Sequence, residues 1–390
     1  MRLLYLSSVV PVELNAGYSL AYRHLARLAG HEVFIITREF DRAAGLELPH
    51  PALRIPEPSR NYYRVSGRIG GPAFWMEREA ARVRRAALPR AREFAPDLVL
   101  TVWASAYALA AADVAEALGV PLAILFHDDI EHMMRPHRGN RAWAAKRLAR
   151  IYRQAAARIC VGPAMVDWLA ALYGAAPTEV VYPIPAAAPP GRLAPRARRA
   201  DEPVRVGFFG DLGGNYGPVH AVVDALGDTG GELHVFSHST GAERAALARR
   251  AGVVDHGAAK PRELQAFFRA SLDATLIPQG FESDTLTLRR SCFPSKIPEA
   301  CQIGLPLLVV GPPDGSAVRW ARASLGPEAV VDGLDRARIG AALRALGDAA
   351  VRERESARVA ASAAGEFAPA RLQERLEAAL ARAAAGGARS

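Results

Sequence analysis

The stretch that begins at Phe293 contains residues whose types and spacing suit the binding of a polar ligand. It reads FPSKIPEACQIGLP, and its pattern predicts a loop and a short helix that lead into a buried strand. Lys296 is one of only three lysines in a chain that otherwise uses arginine, so a compact ammonium group here could neutralise a phosphate. Glu299 falls in the first helical turn, where a carboxylate could accept hydrogen bonds from hydroxyl groups. The alternative is that Glu299 only complements the helix dipole and that Lys296 is solvated.

A glycine-rich turn is a second candidate. The segment from Gly210 to Pro218 reads GDLGGNYGP and follows an apolar strand pattern, and Pro218 suits the first turn of a helix. The backbone N–H groups of Gly213 and Gly214 could approach a phosphate closely. A tight strand-to-helix turn with no ligand explains the same residues. No Gly-Lys-Ser/Thr follows, so the turn is not a P-loop and an ATPase is poorly supported.

A polar cluster follows the apolar strand pattern that ends at Phe126. It consists of His127, Asp128, Asp129, Glu131 and His132. Ligands of open α/β proteins bind at the carboxyl ends of the strands, so these side chains are candidates for direct contact. Two other interpretations stay open. Imidazoles and carboxylates are ligands of divalent metals, and one of the aspartates could simply cap a helix.

Parallel sheets must position these residues, because short apolar runs alternate with helical patterns along the whole chain. Between Pro183 and Pro203 the composition changes to a proline-rich, linker-like stretch, after which the alternation restarts. We therefore predict two doubly wound, Rossmann-like α/β domains that face a cleft. The predicted boundaries are 1–185 for the first domain, 186–202 for the linker, 203–365 for the second domain, and 366–390 for a C-terminal helix and tail.

The segment FPSKIPEACQIGLPLLVVGPP resembles the donor-binding segment of family-4-type glycosyltransferases, which have the GT-B fold. The resemblance implies that Ser295, Lys296 and Glu299 hold a nucleotide-sugar donor. By the same resemblance Gly213 and Gly214 face the diphosphate, His127 faces the donor sugar and is catalytic together with Lys296, and Gly17 and Asp128 lie on the acceptor side.

The sequence departs from the family pattern at two places. The family often has two glutamates separated by seven residues, and here the position of the first is occupied by Ser291. The basic residue usually found after the glycine-rich turn of the second domain is not evident in GDLGGNYGP either. We therefore expect Lys296 to supply part of the positive charge around the diphosphate.

The function implied is the transfer of a sugar from a nucleotide sugar to a glycan, a lipid-linked or a small-molecule acceptor, as in polysaccharide biosynthesis. A retaining hexosyltransferase that uses no metal or cofactor beyond the nucleotide-sugar co-substrate is expected. Two alternatives stay open. One is a metal-dependent hydrolase that uses the cluster His127, Asp128, Asp129 and His132. The other is a non-catalytic nucleotide-sugar-binding protein, which the incomplete glutamate pair suggests.

The composition excludes several other classes of protein. With 390 residues, 50% hydrophobic and 23% charged, the chain is globular rather than disordered. Its three cysteines are scattered and form no CxxC pair, which argues against a disulfide framework and a cysteine zinc site. No apolar run reaches the ~20 residues needed to cross a bilayer. We expect a cytoplasmic protein.

The charge is concentrated in the first half of the chain. Residues 1–200 carry 27 Lys and Arg against 17 Asp and Glu, a net charge of +10, whereas the remainder carries 22 against 23, a net charge of −1. Basic runs occur at 82–92 and 138–158. Such runs can bind anionic lipid, so peripheral contact with the inner face of a membrane is expected; genomic arginine bias is the alternative. No nucleic-acid-binding module is evident.

Overall fold

The computed structural model describes the chain except for residues 15, 42–44, 59–70, 129–140, 187–195, 199–201, 283–285 and 388–390. The described residues form two compact units. The first consists of residues 1–184 together with 372–390, and the second of residues 185–371. Each unit contains one parallel sheet whose strands alternate with helices, which confirms the predicted α/β class.

The first unit contains a sheet of seven described strands. These are β1 (Arg2–Ser7), β2 (Glu32–Arg38), β3 (Ala52–Ile55), β4 (Leu98–Val102), β5 (Leu122–Phe126), β6 (Ala157–Cys160) and β7 (Glu179–Val180). The helices between them are α1 (Ala16–Leu25), α2 (Gly71–Phe94), α3 (Ala106–Leu118), α4 (Arg141–Gln154) and α5 (Pro163–Tyr173). The strand order is β3-β2-β1-β4-β5-β6-β7.

Strands β4 and β5 are buried along their whole length. Strand β5 is a continuous apolar run and β4 is apolar except for the buried Thr101, as expected for parallel strands that are covered on both faces. The strand order reverses direction between β1 and β4. Such a switch point opens a crevice at the carboxyl ends of the two strands, and it is where open α/β sheets bind ligands.

The second unit contains a sheet of six described strands. These are β8 (Arg205–Phe209), β9 (Glu232–Phe236), β10 (Val253–Gly257), β11 (Ala274–Pro278), β12 (Leu307–Val310) and β13 (Val330–Val331). The helices are α6 (Tyr216–Thr229), α7 (Ala242–Ala248), α8 (Pro261–Ser271), α9 (Leu286–Ser291), α10 (Lys296–Ile303), α11 (Ser316–Ser324), α12 (Arg336–Ala345) and α13 (Ala349–Ala364). The strand order β10-β9-β8-β11-β12-β13 has its switch point between β8 and β11.

Gly207, in the middle of β8, allows helix α8 to pack closely on this sheet. A Cβ atom at this position would stand 2.4 Å from side-chain atoms of both Phe268 and Leu272. Any larger residue would therefore force helix and strand apart. Gly207 thus sets how closely helix α8 packs on β8, the strand that leads into the glycine-rich turn.

The last helix, α14 (Pro369–Gly387), contributes most of its length to the first unit. Its residues Leu372, Leu376 and Leu380 are fully buried. In addition, the side chain of Gln373 is hydrogen-bonded to His24 of helix α1, at 3.2 Å. The C-terminal helices expected from the sequence are present, and the chain returns to the first unit after building the second.

Candidate functional site

The glycine-rich turn follows β8 at the switch point of the second unit. Gly210 has φ 105° and Gly214 has φ 70°, a backbone conformation that favours glycine. The carboxylate of Asp211 accepts hydrogen bonds from the Gly213 N–H (3.0 Å) and from the Ser239 hydroxyl (2.6 Å). These bonds hold the pKa of Asp211 below its usual value, so its carboxylate is ionised at neutral pH. The Gly213 amide, predicted to face a diphosphate, thus already has an intramolecular acceptor.

Lys296 lies directly beside this turn. Its Nζ atom is 4.8 Å from the centroid of the Phe208 ring, and its side-chain end lies 3.8 Å from where a Cβ of Gly210 would stand. Burial lowers the pKa of Lys296 to about 8, and the nearby charge of Asp211 opposes this shift. The ammonium is therefore mostly protonated at neutral pH, and it is a cation held against an aromatic face at the end of β8.

Glu299 lies one turn further along helix α10. Its Oε1 atom accepts a hydrogen bond of 3.2 Å from the Ala186 N–H. Glu299 also lies in the first turn of the helix, where its negative charge complements the helix dipole. This agrees with the alternative that the sequence left open for Glu299. Ser295 occupies the position that precedes the helix, and its hydroxyl does not cap the described helix N-terminus.

A second carboxylate, Glu282, was missed in the sequence. It follows β11 across the switch point, where a Cβ on Gly280 would stand only 1.7 Å from the Gly214 carbonyl oxygen. The backbone after β11 therefore touches the glycine-rich turn. Carboxylate oxygens of Glu282 lie 2.3 Å and 3.7 Å from where Cβ atoms of Gly280 and Gly217 would stand. The Pro-Gln-Gly run at 278–280, which ends an apolar strand pattern, is the sequence feature that could have indicated a loop at this site.

Ser291, the position where the family pattern would put its first glutamate, is buried at the end of helix α9. Its side chain is fully buried, and its hydroxyl donates to the Thr287 carbonyl oxygen at 2.8 Å within helix α9. The seven-residue spacing of the family pattern, counted back from Glu299, therefore leads to a serine inside helix α9. The carboxylate beside the turn comes from Glu282, which lies seventeen residues before Glu299 rather than eight.

His127 follows β5 in the first unit. Burial lowers its pKa to about 3, and the nearby charge of His24 adds to this shift. Burial also lowers the pKa of His24 to about 4, against the opposing effect of its hydrogen bond to Gln373. Both imidazoles are therefore neutral at physiological pH. Asp128 is exposed, at the point where the chain leaves the sheet.

The metal-site interpretation of this cluster has no structural support. Asp129, Glu131 and His132 lie outside the described residues, so the structure does not place three of its members. Among the residues that the structure describes, no group of three or more His, Cys, Asp or Glu side chains could hold a metal ion.

Gly17, predicted to lie on the acceptor side, is exposed in the first turn of helix α1. It borders a pocket of about 410 Å³ in the first unit. Residues that follow β1 and β4 form part of the wall, so the pocket opens at the switch point of this sheet. It includes neither His127 nor Asp128.

The basic run of helix α4 has acidic partners within the first unit. Arg147 contacts Asp113 of helix α3 at 2.6 Å and Glu77 of helix α2 at 3.2 Å, and Arg150 contacts Glu116 at 3.3 Å. These arginines join α4 to its neighbours, so at least part of the basic run has acidic partners within the unit. Within the described part of the chain, no helix is both long and apolar enough to cross a membrane.

Part of the chain matches a known protein family. Residues 21–184, most of the first unit, match the model of Glycosyltransferase Family 4. No curated protein matches the sequence.

Solved structures with the same fold match nearly the whole chain. Anabaena Alr3699/HepE, solved with UDP and with UDP-glucose, is 14% identical with a TM-score of 0.66, and 98% of this chain and at least 99% of that chain are covered. The lipopolysaccharide outer core galactosyltransferase WaaB, in its apo form, is 16% identical with a TM-score of 0.59, over 97% and 99% of the two chains.

A UDP-GlcNAc 2-epimerase from Neisseria meningitidis also matches, at 10% identity with a TM-score of 0.57, over 98% of this chain and 100% of that chain. At these identities the likeness shows the fold, which transferases share with an epimerase. The family match therefore carries the activity class.

The fold is GT-B, and residues 21–184 of the first unit match Glycosyltransferase Family 4. The protein is a glycosyltransferase, the activity class that the resemblance of its donor segment implied, and its match to the family 4 model covers residues 21–184. Neither the hydrolase nor the non-catalytic alternative is supported by these matches.

Proposed function

We propose that the second unit binds the nucleotide-sugar donor at the switch point between β8 and β11. The observation that carries this proposal is the Lys296 ammonium held beside the Gly210 turn. A diphosphate placed there would meet a fixed cation and the N-terminal ends of helices α6 and α10. Glu299 would accept hydrogen bonds from the ribose hydroxyls, and Glu282 from hydroxyls of the donor sugar.

Lys296 would act mainly through electrostatics. When the glycosidic bond of the donor breaks, negative charge develops on the departing diphosphate, and a preorganised cation stabilises that charge. Burial keeps the ammonium partly out of water, which strengthens this interaction. Gly214 and Ser295 would contribute further hydrogen bonds, and Asp211 would have to release the Gly213 amide for that group to take part.

We further propose that His127 acts on the transferred sugar as a neutral hydrogen-bonding group. Its pKa of about 3 keeps it uncharged, so it adds no positive charge to the reaction. The resemblance to family-4-type enzymes supports a hexosyl transfer with retention of anomeric configuration. NMR of the product would show an inverted anomeric centre if this part of the proposal is wrong.

For the acceptor, we propose that the first unit binds it near Gly17 and Asp128 and contacts an anionic membrane surface from the cytoplasmic side. Helix α2 supports the membrane contact, because Arg84, Arg85 and Arg92 are exposed and Phe74 is 46% exposed. Sedimentation with anionic vesicles should show binding that weakens as salt rises. Binding that persists after these three arginines are changed to Glu would contradict this surface.

The transfer itself is tested with UDP-glucose as the probe donor. We expect the intact chain to bind UDP in calorimetry and to release UDP from UDP-glucose. The Lys296→Met variant should lose both, whereas Lys146→Met, which removes an exposed lysine of helix α4, should lose neither. The His127→Ala variant should lose turnover and keep UDP affinity. Equal UDP affinity in the Lys296→Met and parent proteins would remove Lys296 from the donor site.

A further inference from the structure

The pocket at the β1–β4 switch point has the size of a small-molecule site. Its volume of about 410 Å³ lies in the range of about 300–1,000 Å³ that is typical of ligand pockets. The end of β2 and one face of helix α2 complete its wall. Every lining residue belongs to the first unit.

The charged side chains of this pocket compensate one another. Arg82 forms a bidentate pair with Glu79, with distances of 2.9 and 2.7 Å, and the side chain of Glu79 is only 5% exposed. Arg38 contacts Glu57 at 2.8 Å. Two cations therefore face two anions, so the formal net charge of the lining is zero.

The remaining polar groups are hydroxyls that stand among aromatic rings. Arg38 donates to the Tyr18 hydroxyl at 2.7 Å, and the Ser105 hydroxyl donates to Ser8 Oγ at 2.7 Å. Trp75 and Tyr107 add further aromatic surface to the wall. Flat apolar faces beside oriented donors and acceptors match a pyranose ring, which has one apolar C–H face and a rim of hydroxyls.

We propose that this pocket binds an uncharged sugar ring of the acceptor. The inference rests on the proposed glycosyl transfer and names the acceptor class for it. A phosphate or carboxylate would have to compete with Glu79 and Glu57 for the guanidinium groups, and it would leave a partly buried pocket with net negative charge. An uncharged ring requires no such exchange and can use the hydrogen-bonding groups as they stand.

The test is binding of the full chain to an array of neutral glycans and glycans bearing sulfate, phosphate or uronic acid groups. We expect retained glycans to be neutral, with binding that changes little between low and high salt. Retention of acidic glycans only, or of none, would overturn the inference. UDP binding measured on the same sample keeps the two proposals apart, because a chain that binds UDP but no neutral glycan contradicts only the acceptor assignment.

Charge variants make the test sharper. Glu57→Gln and Glu79→Gln each leave one guanidinium uncompensated, so both should shift the preference towards acidic glycans by about tenfold or more. Glu57 is 43% exposed, so its variant tests the pocket even if the buried Glu79 is needed for folding. The matched control is Glu93→Gln, which removes an exposed glutamate of the same helix, α2, from its pair with Arg90. An unchanged preference in both pocket variants would overturn the charge argument.

Discussion

At the scale of single residues, burial decides which charged groups are available to a ligand. Lys296 remains a cation at neutral pH but has a lowered pKa, whereas His127 loses its charge altogether. Asp211 remains ionised because a hydroxyl and a backbone N–H donate to it. The proposed donor site therefore combines one titratable cation with a carboxylate that orders the turn.

The affinity for UDP should depend on pH through Lys296. The protonated form is the one that attracts the diphosphate, and it is lost as pH rises through about 8. Affinity should fall by up to about tenfold per pH unit above this value, because one pKa unit corresponds to about 1.4 kcal/mol. Calorimetry between neutral and alkaline pH measures this dependence. Lys296→Met should bind weakly at every pH, and a parent protein with a flat profile across the same range would contradict the role of the ammonium.

Glu299→Ala should weaken UDP binding, because it removes a charged acceptor proposed to bind the ribose hydroxyls. The expected loss is about 1.5–3 kcal/mol, the range for hydrogen bonds to charged groups. Glu263→Ala is the matched control, because Glu263 also lies in the first turn of a helix, α8, in the same unit. Equal effects in the two variants would reduce Glu299 to a role in helix electrostatics.

At the scale of elements, some of the basic residues of the first unit form ion pairs between helices. Arg147 of helix α4 is 15% exposed and lies between Asp113 of α3 and Glu77 of α2. Sequence periodicity shows that α4 is basic, but it cannot show which acidic residues the other helices bring to it.

Arg147→Glu should therefore destabilise the fold rather than only change a surface. Reversing the charge places three carboxylates together in a mostly buried position, and we expect a loss of about 2–4 kcal/mol in the free energy of unfolding. Arg153→Glu, an exposed position in the same helix, should change stability by less than about 0.5 kcal/mol. Urea unfolding of both variants measures the difference, and similar midpoints would show that the Arg147 pairs contribute little.

At the scale of the whole molecule, the first unit is discontinuous, because it is formed by two separate segments of the chain. Residues 372–390 return to it after the second unit is complete. Helix α14 buries three leucines there, and its Gln373 contacts His24, whose protonated form would further lower the pKa of His127. The C-terminal helix is thus part of the framework around the candidate catalytic histidine.

Removal of residues 372–390 should destabilise the first unit. Each buried leucine contributes about 1.5–3 kcal/mol by leaving water, so the truncated chain should lose several kcal/mol. Limited proteolysis should then cut within residues 1–184 before it cuts within 185–371. A truncated chain that unfolds at the same temperature as the parent would show that the helix is dispensable.

The sequence by itself determined the α/β fold class and the main elements of the proposed donor site. The apolar runs at 98–100 and 122–126, alternating with helical patterns, predicted buried parallel strands, and the Gly210 turn before a helix identified one end of the sheet. The rarity of lysine singled out Lys296. These features are local, since they depend on periodicity and on residue types within a few positions.

Only the tertiary structure decided the partners. The bond of Asp211 to Ser239, the approach of Gly280 to Gly214 and the pairing of Arg38 with Glu57 depend on exact separations between atoms of loops and side chains. Glu282 lies near the glycine-rich turn although it is seventeen residues before Glu299, because a separate helix, α9, lies between the two and a fixed spacing ignores it. Strand order brings distant segments together, and periodicity along the chain does not encode that order.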